Sequence, residues 1–186
     1  MKLYIEWIES PLGTLLAAAT PEALHLLEFI DDEDMRNARL GALRIRYPEL
    51  QVAAEAGRSG YEPLAQLRLQ LAEYFRGERR AFDLPLAYPG TAFQEKVWKL
   101  LLQIPYGETW SYRELAARAG NDKAGRAVGT ANGMNPISIV IPCHRVINAN
   151  GALGGYGGGL WRKRLLLDLE RRQGRMEFER RVNGAG

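Results

Sequence analysis

Residues Glu78 to Gly90 set the strongest limit on how this chain can fold. The stretch is extended in character, punctuated by Pro85 and Pro89, and follows the helix-stopping Gly77. The sign of the charge changes across it. The first 90 residues hold 10 Lys and Arg against 14 Asp and Glu; the remainder hold 15 against 8. A chain of 186 residues has room for one large domain or two small ones. The break predicts two: residues 1–76, a linker at 77–90, a second domain at 91–173 and a charged tail at 174–186. The basic second half suits a polyanionic partner, with a solvated basic face as the plain alternative.

The first half reads as an α/β domain with a small three-stranded antiparallel sheet. Met1 to Ile8 alternates like a strand, and Ser10-Pro11-Leu12-Gly13 is a turn. Thr14 to Ala19 and Leu24 to Ile30 are the next strand candidates, the former blurred by its alanines. Asp31 to Asp34 supply acidic residues to the start of a helix running to about Arg46. Gln51 to Gly60 is small and polar, a loop. Pro63 to Phe75 is amphipathic, with Leu64, Leu67, Leu71, Tyr74 and Phe75 on one side.

The second half is helical, then glycine-rich. Thr91-Ala92-Phe93-Gln94 and Ser111-Tyr112-Arg113-Glu114 fit capping boxes. The first opens a helix to about Gln103 with Phe93, Val97, Trp98, Leu101 and Leu102 on its apolar face, the second a short helix ending at Gly120. Asn121-Asp122 can cap a further helix from Lys123 to about Gly133. Two short helices around a glycine turn make the outline of a helix-turn-helix, winged or not. The second carries Gly125, Gly129 and Gly133 on one face, although each glycine costs about 1 kcal/mol relative to alanine. Such a thin helix either packs tightly on a neighbour or lets its backbone approach a ligand. Leu160 to Arg172 closes the fold as a helix burying Leu165, Leu166 and Leu169. Pattern alone favours a surface position for Glu170, at the edge of that stripe. The fold class is therefore α+β.

Ile137 to Ile141 is a β-branched, apolar run that reads as a buried strand, ended by Pro142. Directly after it stand Cys143, the only cysteine, and His144, one of two histidines. A thiol beside an imidazole at the end of regular structure suits a nucleophile; a buried, inert Cys is the other reading. One cysteine forms no internal disulfide, which fits a reducing cytoplasm. No apolar run approaches the roughly 20 residues of a membrane span. Cys143, His25 and His144 are too few for a zinc site, so no metal and no cofactor are expected. Gly154 to Gly159 lacks the Gly-Lys-Ser/Thr of a phosphate loop.

Pro142-Cys143-His144-Arg145-Val146 resembles the active-site signature of the O6-alkylguanine-DNA alkyltransferases. Pro105-Tyr106-Gly107-Glu108-Thr109-Trp110-Ser111-Tyr112 is similar to that family's entry into its helix-turn-helix. Arg126-Ala127-Val128-Gly129 with Ala131-Asn132-Gly133-Met134-Asn135-Pro136 resembles its recognition helix and asparagine hinge. Gly155 to Gly159 and Leu166 to Glu170 resemble its substrate loop and terminal acid. The likeness runs in order from about Phe93 to Glu170; residues 1–90 resemble the variable N-terminal domain only loosely.

The resemblance implies irreversible, stoichiometric transfer of an alkyl group from guanine O6 in double-stranded DNA to Cys143. It implies His144 as base through a water, Glu170 as its orienter, Asn135 as the hinge that holds the active-site turn, and Tyr112 as proton donor to the leaving guanine. Side-chain alternation along an extended chain argues independently against direct Cys143–His144 contact. The family assigns DNA contact in the minor groove to the helix bearing Arg126, Ala127, Gly129, Ala131 and Gly133. Arg126 fills the stack vacated by a flipped base. Tyr156, Gly157, Val146 and Ser138 line the pocket; Ser138 stands where some relatives have proline. A monomer is expected, with cooperative assembly on DNA left open. Three other readings compete: a lesion-binding alkyltransferase-like protein, which would lack the cysteine; a helix-turn-helix regulator; and a Cys–His hydrolase.

Overall fold

The computed structural model describes residues 2–52 and 62–183, with side chains through residue 172. Two compact units divide the chain: Met1–Pro89 with Pro136–Ser138, and Gly90–Asn135 with Ile139–Gly186.

In the first unit β1 (Tyr4–Ile8), β2 (Leu15–Ala19) and β3 (Leu24–Phe29) form an antiparallel meander. The expected three strands gain a fourth, β4 (Gln51–Val52), parallel to β1, giving the order β3-β2-β1-β4. Two residues are too few to show an alternation, so this edge was unreadable; the rest of the expected 51–60 loop lies outside the described residues. Asp32 caps α1 (Glu33–Arg46), accepting from the Met35 N–H at 2.7 Å. Leu40 and Leu43 of α1 cover a sheet face made by Leu3, Ile5, Leu16 and Ala18. Helix α2 (Glu62–Arg76) buries Leu64, Leu67, Leu71 and Tyr74 and lies against β2. Neighbouring residues of a strand face opposite sides. The complete burial of Leu15 to Ala19 therefore means that both faces of β2 are covered, and the alanines let the layers close.

Residues 77–89 run along this unit. The Gln70 amide donates to the Asp83 carbonyl and accepts from its N–H, at 2.9 and 2.8 Å. Leu24 is bracketed by bonds to Pro85 and Ala87. Leu27 is bracketed in the same way by Pro136 and Ser138.

That last pairing corrects the expected strand at 137–141. Only Ile137 makes a bridge; the chain then turns through residues 138–140, with Ile139 at φ 70°. A β-branched residue there is strained by about 1–3 kcal/mol. Ile137, Ile139, Val140 and Ile141 are buried, and it is burial, not pairing, that makes this run apolar.

The second unit begins with α3 (Ala92–Leu101), whose Thr91/Gln94 capping box is formed in full. Val97, Trp98 and Leu101 are buried, whereas Phe93 and Leu102, expected on the same face, are exposed. Ser111 and Glu114 cap α4 (Tyr112–Arg118) in the same way. Helix α5 (Gly125–Gly133) starts two residues later than expected and has no side-chain cap. Asn121 shapes the preceding turn instead, its Oδ1 accepting from the Lys123 N–H at 3.0 Å. Helices α4 and α5 pack together, and both touch α3. Two-residue strands β5 (Trp110–Ser111) and β6 (Val146–Ile147) pair in parallel, tying the start of α4 to the chain just after Cys143. Helix α6 (Leu160–Asn183) continues past Arg172, where the helix was expected to end, into the charged segment that begins at Gly174. Its buried face also differs: Arg162, Lys163, Leu166, Leu167 and Glu170 are buried, and Leu165 is 46% exposed.

Candidate active site

Cys143, His144 and Arg145 form one turn of 3-10 helix between Pro142 and β6. The turn is buried, Cys143 being 5% exposed. Asn135, just past the end of α5, holds it. Its Nδ2–H group donates to the Ile141 carbonyl at 2.7 Å and lies 3.0 Å from Cys143 Sγ. Burial pushes the Cys143 thiol up, while the Asn135 amide and the Lys163 charge oppose that shift.

His144 reaches Glu170 on α6. Its Nε2 lies 2.8 Å from Glu170 Oε1, and both side chains are fully buried. Arg145 grips the same carboxylate with Nε at 2.9 Å and Nη2 at 3.0 Å. The Gly107 N–H adds a fourth donor at 3.0 Å. Gly107 has φ 79°, a conformation that glycine adopts without strain. For Glu170, burial pushes the carboxyl up, but the His144 and Arg145 contacts outweigh it and hold the group well below the usual carboxylate range. Burial lowers His144 from its ordinary value against the pull of Glu170. An ionised carboxylate only accepts, so Nε2 carries the ring proton and Nδ1 is left basic. Nδ1 is buried with no hydrogen-bond partner, and no hydrogen bond joins the Cys143 and His144 side chains.

Tyr112 opens α4. Its hydroxyl donates to the Gly155 carbonyl at 3.4 Å. Burial, then the Cys143 charge, raises its pKa. Gly154, at φ 67°, leaves no room for a side chain: a Cβ there would stand 2.8 Å from the Tyr112 ring. Tyr156 is half-buried and Gly157 exposed, the latter near the Gly133 carbonyl at the end of α5. Val146 is fully buried in β6. Ser138 belongs to the first unit, where its N–H bonds the Leu27 carbonyl.

On α5, Arg126, Ala127 and Gly133 are exposed and Gly129 is half-buried. A Cβ at Gly125 or Gly133 would meet nothing within 4 Å, and one at Gly129 only the Tyr112 ring. The glycine face is therefore not thin in order to fit a neighbouring helix. Ala131 differs from the others: it is 2% exposed, and its carbonyl accepts from Trp98 Nε1 at 2.9 Å. It lies on the side of α5 that packs on α3.

The described fold has relatives. The 6-O-methylguanine DNA methyltransferase, DNA binding domain, matches residues 92–172, and the ribonuclease-like domain of the same proteins matches residues 3–88. A methylated-DNA–protein-cysteine methyltransferase of Methanosarcina acetivorans is 45% identical over 168 residues, 90% of this chain and 98% of that protein. The chain belongs to the 6-O-methylguanine DNA methyltransferase family. The constitutive methylated-DNA–protein-cysteine methyltransferase of Bacillus subtilis is 43% identical, covering 90% of this chain and 95% of its own. The crystal structure of the Mycobacterium tuberculosis O6-methylguanine methyltransferase matches with a TM-score of 0.76 at 42% identity, over 92% of this chain and 94% of that one. The same M. tuberculosis protein in complex with DNA matches with the same score and identity, over 93% and 94%.

One residue of this methyltransferase fold escaped the sequence reading. Lys163 is fully buried, its ammonium donating to the Val146 carbonyl at 2.6 Å and the Gly155 carbonyl at 3.0 Å. It sits 5.8 Å from the centre of the Tyr112 ring. Burial lowers its pKa to about 8, against the pull of the Cys143 charge. A cation so placed favours charge on the thiol. The signal was present in the spacing: Lys163, Leu166, Leu167 and Glu170 recur at helical intervals, and so share one face. Treating the apolar positions alone as the core hid it.

Proposed function

We propose that this protein repairs O6-alkylguanine in duplex DNA by moving the alkyl group irreversibly onto its own Cys143. The observation that carries the reading is the buried Cys143, held by Asn135 and followed by a His144 whose Nε2 is engaged by Glu170. Family membership supplies the reaction class; the geometry supports the roles.

The thiol proton passes to His144 Nδ1 through a bridging water, and Glu170 stabilises the imidazolium that forms. The thiolate attacks the alkyl carbon. The carbon–O6 bond breaks, its electron pair stays with guanine, and a thioether forms on Cys143. Guanine is a poor leaving anion, so Tyr112 donates a proton to a ring nitrogen. Nothing in this arrangement cleaves the thioether, so each molecule acts once.

A thiol that is 5% exposed cannot meet a stacked base, so the nucleotide is flipped out of the duplex. Helix α5 lies in the minor groove, with Arg126 filling the gap and Ala127, Gly129 and Gly133 allowing close approach. Tyr156, Gly157 and Val146 line the pocket for the flipped base. The M. tuberculosis relative in complex with DNA supports a DNA partner. The protein acts as a monomer. A single unpaired thiol suits the reducing cytoplasm, and no described helix is long and apolar enough to cross a membrane.

Incubation with DNA carrying a labelled O6-methyl group tests this. Label should move to the protein and be absent from Cys143→Ser. Lesion binding without transfer would favour the non-catalytic alternative.

A further inference from the structure

We propose that Arg145 is the positioning residue that sets the protonation state of the His144–Glu170 pair, and with it the pH at which Cys143 becomes a nucleophile. This rests on the reading of His144 as the base for Cys143. Arg145 and His144 are neighbours in one turn, yet both reach back to a single carboxylate on α6. Arg145 takes both oxygens in a planar fork, and its remaining terminal nitrogen, Nη1, is anchored on the Ile104 carbonyl at 2.6 Å. With His144 Nε2 and the Gly107 N–H, four donors occupy the carboxylate. A carboxylate has about four lone-pair sites, so this one is full: it cannot rotate, and it can only accept.

Two consequences follow. His144 has one tautomer available, with Nδ1 basic. Also, Glu170 shares its charge between two cations, so an imidazolium beside it is less favoured than in an isolated His–carboxylate pair. The proton taken from the thiol is accepted without being trapped. Among the described residues, Lys163 from α6 and the Cys143 thiol also carry or can carry charge near this turn. Lys163 acts on His144 in the same direction as Arg145. The ring of Tyr106 lies 5.6 Å from the guanidinium and adds no charge. A salt bridge kept for stability alone is poorly motivated here, because a buried pair is often no better than well-packed apolar side chains.

The test is the pH profile of Cys143 alkylation by iodoacetamide, alongside methyl transfer from O6-methylguanine DNA. In Arg145→Met the acid limb of both profiles should move up by about one pH unit, a roughly tenfold slower reaction at a fixed pH on that limb. Arg145→Lys keeps the charge but loses the fork. Its limb should stay in place, while its plateau rate falls several-fold. A limb unmoved in Arg145→Met, or an Arg145→Lys protein matching wild type in rate and profile, would overturn the proposal. The lysine variant decides alone if the methionine variant does not fold. A shifted iodoacetamide profile in a protein that moves no methyl group would instead sink the repair reading and leave the Arg145 assignment standing.

Discussion

At Glu170 four donors converge on one buried carboxylate, and this has a pH signature. Its folded pKa lies below the ordinary 4.5, so stability from this group is present above that value and lost as the pH falls through the folded value. His144 is held below its ordinary 6.5, so the unfolded chain takes up that proton first as the pH drops. Both slopes have the same sign. Chemical denaturation should show stability declining from about pH 6.5 downward. Glu170→Gln should cost about 3–5 kcal/mol at pH 7, because it leaves the Arg145 charge buried without its anion, and should flatten the decline below pH 4.5. A variant with wild-type slope there would remove Glu170 from the account. For Tyr112, replacement by Phe keeps the ring and deletes the proton. Transfer should slow by about 10²-fold or more while lesion-DNA affinity stays within a few-fold. Equal losses in both would make it a binding residue only.

Among the elements, α5 has the least ordinary composition. A methyl group at Gly129 meets the Tyr112 ring at 3.8 Å, an ordinary contact. Gly129→Ala should therefore stabilise the protein by about 0.5–1 kcal/mol, read as a rise in melting temperature. Lesion-DNA affinity should fall several-fold in the same variant; unchanged affinity would mean that the thin face serves no ligand. Local chemistry in the chain marked α3 and α4 closely, because a capping box is a matter of residues three apart. The start of α5 was less legible, since Asn121 could cap a helix or shape a turn, and it shapes the turn. The segment at 137–141 misled for a different reason. Burial selects β-branched side chains whether or not the backbone pairs, and periodicity cannot separate the two. In α6 the buried stripe is half charged, so hydrophobicity pointed to Leu165 while the chain buried Lys163 and Glu170.

Over the whole molecule, the proposed chemistry concentrates in one unit. Cys143, His144, Arg145, Asn135, Tyr112, Lys163, Glu170 and Arg126 all lie within residues 90–135 and 139–186. The same half carries the excess of basic side chains, 15 against 8 over residues 91–186. The first unit is built from a meander with helices on the sheet, and its sequence announced the strands but not the parallel edge. The identity of the acceptor was legible early, because the chain has one cysteine and a signature around it. The surroundings of that cysteine were less so: Glu170 was named through the resemblance while its pattern favoured the surface, and Lys163 was missed, because both act on the Cys143–Arg145 turn only when α6 is in place. Cys143 is both acceptor and catalyst in this reaction, consumed once. Intact-protein mass after incubation with an excess of O6-methylguanine duplex measures this directly. The protein should gain one methyl group per chain at saturation, located on Cys143 and absent from Cys143→Ser. Repaired DNA in excess of the protein, or a methyl gain in Cys143→Ser, would contradict it.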